Sequence, residues 1–300
     1  MMAIRLLCTA AALALTLAPA PAMAETVTHA QGQTEVTGTP GTVLVYDIAT
    51  LDNLDALGVP VAGAPGQALP PHLAQYAAPI GTLFEPDFEA VNAAAPDLVL
   101  VGGRSAAQYA ALSAMVPTLD LTVAREGYID NVAANLRLLG GLFDREAEAE
   151  ALVDALRADV AALHEEAAGA GRVLVVLTTG GRMSAHGPGS RFAVVYDDYG
   201  FTPAVEGLDT GTHGQAISFE FIRETNPDWL FVVDRDAAIG REGQAAAEYL
   251  DNPLVQSTTA WQQGQVVYLD AQAWYLTGAG VQALRSSIAQ LRDALAAARN

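Results

Sequence analysis

One sentence of this chain is written twice. FEAVNAAAPDLVLVGGR (88–104) and FEFIRETNPDWLFVVDR (219–235) lie about 130 residues apart and align without a gap. Phe88 matches Phe219, Glu89 matches Glu220, Pro96 matches Pro227, Asp97 matches Asp228, and Arg104 matches Arg235. Each copy reads as a helix, a Pro-Asp turn, a short apolar strand and an arginine just past the strand's carboxyl end. With 300 residues there is room for two halves built alike, each burying its own core.

The surrounding pattern agrees. ETVTHAQGQTEV alternates and is rich in Thr and Val, as a strand or hairpin arm does. TVLVYD reads as a buried strand, ATLDNLDALG as a helix stopped by Gly58, PVAGAP as strand-like, and AAQYAALSAM as helical again before PTLDLTV. DREAEAEALVDALRADVAALHEEAA then runs without Gly or Pro, long enough for a helix of ~36 Å at 1.5 Å per residue. GAG at 169–171 ends it, and RVLVVLT restarts the alternation through VVYDDYG, the second copy, QVVYLD and a closing amphipathic helix. The expected fold is α/β: two Rossmann-like lobes with mainly parallel sheets, joined by one long rigid helix, with a ligand cleft between them. The expected division is 25–143, the inter-lobe helix 144–168, and 169–300.

The opening MMAIRLLCTAAALALTLAPAPAMA has the parts of a secretory signal peptide, with Arg5, an apolar run and Ala22-Met23-Ala24 ahead of Glu25. Removing residues 1–24 takes away the only cysteine, Cys8, so an exported, soluble, disulfide-free periplasmic protein is expected. All fifteen basic residues are arginines. That excludes Schiff-base chemistry and the lysine of a phosphate-binding loop. A net charge of −19 argues against a nucleic-acid partner.

Ligands of open parallel sheets sit beyond the carboxyl ends of strands. Arg104 and Arg235 therefore either point into a shared cleft or cap their strands as ordinary surface charges. Glu89 and Glu220 suit a helix amino end, and matched positions on two lobes leave an external role open as well. Three loops of the second half add polar groups. HGPGSRF carries Arg191 before an expected strand, TGTHGQ sets His213 between glycines, and AWYLTGAG places Tyr275 ahead of a helix.

The long spans HAQGQTEVTGTPGTVLVYDIATLDNLDALGV, GPGSRF, GTHGQAISFEFIRETNPDWLFVVDR and YLDAQAWYLTGAG carry a family resemblance over nearly all of the chain past the signal. The chain resembles the periplasmic binding proteins of ABC importers for ferric siderophores, within the group taking catecholate complexes of the petrobactin type. That resemblance implies two lobes with little hinge motion, and no catalysis. It implies that Arg104, Arg191 and Arg235 neutralise catecholate oxygens, and that His213 and Tyr275 complete the shell of Fe(III) when the siderophore supplies four oxygens. It implies that Glu89 and Glu220 dock onto an inner-membrane ABC permease. No intrinsic cofactor is implied; Fe(III) arrives within the siderophore, and a monomer is expected. Gln215 and Ala216 depart from the Lys-Ser frequent in the group, and His186 stands where an aromatic is frequent.

Other readings are weaker. The same architecture could hold haem or a corrinoid, but those ligands do not call for three arginines with His213 and Tyr275. An exported hydrolase lacks a G-x-S-x-G elbow. The five histidines, His29 among them, show no paired zinc spacing.

Overall fold

The computed structural model describes residues 24–67 and 69–299. Apart from Ala24, the expected signal segment lies outside the described residues. The alternating opening forms an antiparallel hairpin, Ala24–His29 with Gly32–Thr37, whose Val27 and Val36 enter the first lobe's core.

The N-terminal lobe is built on a parallel sheet of Val43–Val45, Leu98–Val101 and Thr118–Asp120, with Leu98–Val101 in the middle. Every residue of these strands is buried; Val43–Val45 and Leu98–Val101 accordingly read as unbroken apolar runs, while Thr118 and Asp120 are buried polar residues of the third. In the C-terminal lobe the order is Gln215–Ala216, Arg182–His186, Arg172–Thr179, Trp229–Asp234, Val266–Tyr268. Trp229–Asp234 runs parallel to both its neighbours, while Arg182–His186 returns antiparallel through the turn Gly180-Gly181. Both glycines have positive φ, +54° and +69°, as a tight two-residue hairpin requires.

The two copies of the repeat take one shape. Their helices are Phe88–Ala94 and Phe219–Thr225, and each stops at a left-handed residue that is not glycine, Ala95 or Asn226. Pro96 and Pro227 follow. The next residue clamps the start of the neighbouring strand. Asp97 accepts from the backbone N–H of Gly41 and Thr42 at 2.9 and 2.8 Å, and Asp228 accepts from that of Arg172 at 2.7 Å. The Pro-Asp pair is therefore a strand clamp as well as a turn.

The lobes meet through helices. Glu146–Ala167, 22 residues and so about 33 Å long, packs against the preceding helix Tyr128–Leu142 and the final helix Val281–Ala298. Arg137 binds Glu150 through two nitrogens at 2.6 and 2.9 Å, and Arg285–Asp159 and Arg292–Glu166 tie the final helix to the linking one. A second connection comes from the first lobe's helix Ile48–Ala56. Its buried Asp52 accepts from the backbone of Gln282 at 2.8 Å and from His72 Nε2 at 2.9 Å, while Asn53 accepts from Val281 at 2.8 Å. One lobe thus caps the helix of the other. Gly280 has no alternative there, since a Cβ would lie 2.5 Å from Asp52 Oδ2. Burial pushes the Asp52 carboxyl up, opposed by the hydrogen bond from His72.

One expected element changes type. The stretch after Arg191 forms the helical turn Val194–Asp197 and not a strand. Its β-branched residues suggest a strand, but Val195 and Tyr196 face inward as one side of a helix, with Tyr196 Oη donating to the carbonyl of His186 at 2.9 Å.

Candidate functional site

Tyr275 stands where the two lobes join. It lies in a single π-helical turn, Ala273–Thr277, between the strand Val266–Tyr268 and the final helix, and packs against the cores of both lobes. Such turns are rare and re-aim side chains. Here Trp274 and Leu276 point inward, leaving the half-buried Tyr275 ring in the gap.

Three arginines converge on it from different elements. Arg104, from the N-terminal lobe, donates to the carbonyls of Tyr275 and, at 3.2 Å, Leu276. Arg191 donates to the same Tyr275 carbonyl. Arg235 Nε donates to the phenol oxygen at 2.8 Å, and its Nη1 to Thr179 Oγ1 at 3.2 Å. The guanidinium carbons of Arg191, Arg104 and Arg235 lie 4.0, 5.2 and 5.5 Å from the ring centre, within cation–π range.

The electrostatics follow from that crowding. Burial alone raises the Tyr275 phenol's pKa, but the hydrogen bond from Arg235 and the charge of Arg191 outweigh it, leaving the phenol below its ordinary value. Arg191 is depressed by burial and by the charge of Arg104. The site therefore favours a negative charge at the phenol oxygen.

His213 is exposed on its loop and faces a cavity of about 500 Å³ that Arg191, Arg235 and Tyr275 also line. Gly214 fixes its placement. At φ +65°, a Cβ would fall 2.6 Å from the Ala185 carbonyl and 2.7 Å from the His186 ring. His186 itself is buried, and its Nδ1 finds no partner among the described residues. Burial, with the charge of Arg191, pushes its pKa down to about 4. On the other side of Tyr275 is a second cavity of about 470 Å³, lined by Leu83, Phe84 and Ile239 with Arg104 and Arg235. Phe84 is 58 % exposed there, an unusual position for a phenylalanine.

All five residues expected at the ligand are thus in one place: Arg104, Arg191, Arg235, Tyr275 and, across the first cavity, His213. Glu89 and Glu220 are elsewhere. Each is exposed in the first turn of its repeat helix, next to the N-caps Asp87 and Ser218. Among the described residues no group of three or more His, Cys, Asp or Glu side chains is poised for a metal. The cleft offers two imidazoles, His213 and the buried His186, and one phenol, too few donors to hold Fe(III) unaided. Sequence reasoning passed over Arg182 and Arg241, which line the first cavity too. The signal was available in RMSAH, where Arg182, Ser184 and His186 alternate onto one face of a strand.

Comparison with known proteins fits this geometry. Residues 43–273 match the family described as periplasmic binding protein. The chain belongs to that family. Among periplasmic binding proteins, the petrobactin-binding protein YclQ of Bacillus subtilis is 36 % identical over 271 residues, covering 87 % of this chain and 84 % of that one. Its crystal structure superposes with a TM-score of 0.87 at 34 % identity, covering 91 % and 99 % of the two chains. The periplasmic catecholate-siderophore binding protein VctP of Vibrio cholerae gives a TM-score of 0.86 at 32 % identity, covering 90 % and 100 %. The ferric-anguibactin-binding protein FatB of Vibrio anguillarum is 34 % identical over 275 residues, covering 86 % and 84 %. Among the described residues, no helix of this periplasmic binding protein is long and apolar enough to cross a membrane.

Proposed function

We propose that this protein captures ferric catecholate siderophores, above all tetradentate bis-catecholate complexes of Fe(III), in the periplasm and hands them to an ABC permease for iron uptake. The reading is supported most by one observation: Tyr275, at the lobe junction, is held by Arg104, Arg191 and Arg235, with His213 across the same cavity. Two catecholates carry four negative charges against three on the iron, so the complex is an anion. Guanidinium groups offer it fixed forks of donors and stay charged when partly desolvated. Fe(III) is a hard cation that favours oxygen, and the phenol oxygen of Tyr275 supplies such a donor. To bind, the phenol must lose its proton, and its lowered pKa makes that loss easier. The His213 imidazole takes the sixth position.

The protein acts as a monomer with no turnover. Glu89 and Glu220, one on each lobe, present the carboxylates that a permease's basic residues would recognise. The names of YclQ, VctP and FatB favour the same ligand class.

The test is spectroscopic. In Tyr275→Phe the visible charge-transfer band of a bound tetradentate ferric complex should shift and its affinity fall. A hexadentate complex, whose iron is already saturated, should respond little. An equal response to the two complexes would remove Tyr275 from the iron's shell.

A further inference from the structure

Of the nine described arginines away from the cleft, Arg125, Arg145 and Arg299 donate to main-chain carbonyls, and the other six, Arg137, Arg157, Arg172, Arg223, Arg285 and Arg292, each have a carboxylate within 4 Å. That is what a chain with 34 acids and 15 arginines should produce. In the cleft the pattern inverts. Among the described residues Arg104, Arg191 and Arg182 have no carboxylate within 4 Å, and Arg235 and Arg241 share only Asp236, at 3.9 and 3.8 Å. Even Asp236 is engaged elsewhere, accepting from the backbone of Gly180 and from Thr179 Oγ1 at 3.2 Å.

Like charges gathered without counter-charges repel, so an anion is the natural occupant. Five arginines and one aspartate leave four positive charges in the cleft. A ferric bis-catecholate carries one negative charge, so most of that positive charge remains unanswered. The pair that neither the Tyr275 phenol nor its carbonyl engages is Arg182 and Arg241. Both line the His213 side of the cleft. Arg182 is presented by a stiff frame: it pairs with Thr179 at the base of the Gly180-Gly181 turn, and the Gly180 amide is held by Asp236. Ser184 and His186 continue the same face toward the cavity. The opposite cavity has an apolar wall of Leu83, Phe84 and Ile239, and its two arginines, Arg104 and Arg235, are both engaged by Tyr275.

We propose that Arg182 and Arg241 form a second anion subsite, which takes a carboxylate carried by the bound complex outside the iron's coordination shell. This rests on the ferric-catecholate reading and adds an orientation to it. The side of the linker that bears the carboxylate lies toward Arg182 and its uncharged side toward Phe84.

Two ferric bis-catecholates with the same linker distinguish the possibilities, one bearing a linker carboxylate too short to reach the iron and the other its primary amide. Titrated at low ionic strength by tryptophan quenching, the wild-type protein should prefer the carboxylate by about tenfold, the scale of one charge-assisted hydrogen-bonded contact. In Arg182→Gln/Arg241→Gln the preference should shrink to within about twofold, with the loss falling mainly on the carboxylate. Equal wild-type affinities overturn the subsite. So does a double variant that weakens both complexes in the same proportion, because that is long-range attraction only. If acetate added with the amide complex restores the tenfold, the site takes a separate anion and the pendant-carboxylate assignment fails. If neither complex binds the wild type, the ferric-catecholate reading falls and takes the subsite with it, an outcome distinct from binding without preference.

Discussion

The two copies of the repeated segment share a scaffold and differ in what their arginines do. Both have a seven-residue helix, a left-handed stop, a proline and an aspartate clamp. The difference lies in the two residues before the arginine. In the C-terminal copy Val233 and Asp234 stay in the sheet, paired with Leu177 and Thr178, so Arg235 emerges at the strand's end and reaches Thr179 and the Tyr275 phenol. In the N-terminal copy these positions are Gly102 and Gly103. Gly102 lies so close to Asp47 that a Cβ would sit 3.1 Å from its carboxyl carbon, and Gly103 turns away at φ +48°. The chain leaves the sheet two residues sooner, and Arg104 crosses the gap to the Tyr275 and Leu276 carbonyls. Two glycines turn one template into a second, inter-lobe contact.

The largest expected effect concerns the first turns of the copies. If Glu89 and Glu220 are equivalent docking points, reversing both to Arg should abolish siderophore-dependent growth while ligand titration is unchanged. Reversing either one alone should give a partial defect of similar size. A double reversal that lowers ligand affinity would put these carboxylates in the wrong place.

The clamps should differ in strength. Asp97→Ala removes two backbone acceptor contacts and should cost about 1–2 kcal/mol in chemical denaturation. Asp228→Ala removes one short backbone contact and a distant one to Arg172 Nε at 3.7 Å, and should cost about 1 kcal/mol. Equal losses would mean that the strand starts are held by the sheet and not by the clamps.

The smallest effect should change sign between the copies. Ala95 sits at φ +44° with a methyl that the left-handed region disfavours, so Ala95→Gly should stabilise by about 0.5–1 kcal/mol. Asn226 tolerates φ +42°, and its Oδ1 accepts from the Thr259 backbone at 2.8 Å, so Asn226→Gly should destabilise by about 1 kcal/mol. Parallel changes in thermal melting would show that the two stops are interchangeable after all.

Much of this was legible in the sequence because its causes are local. A run such as RVLVVLT has period and branching enough to be a strand, and the Ala-Leu-Glu stretch before it has no breaker to interrupt a helix. What escaped depends on distant partners. The helix Tyr128–Leu142 runs through Gly140 and Gly141, residues of low helix propensity. Yet Gly140 is needed there because a Cβ would fall 2.6 Å from that of Ala149 on the linking helix. The inter-lobe cap made by Asp52 and Asn53 joins residues about 230 apart, and nothing near either end announces it. The site residues were readable as types in loops. Their convergence needed the π-turn that aims Tyr275, and no propensity encodes that turn. Nothing local sets Arg182 and Arg241 apart in the sequence; the cavity they share marks them.

The Tyr275 carbonyl, leaned on by guanidinium groups from both sides, has a kinetic consequence. A main-chain oxygen does not titrate, so two of the three cations are anchored before any cargo arrives. Arrival is then governed by encounter frequency in an attractive field. Discrimination among iron complexes is left to dwell time, to how soon each one departs.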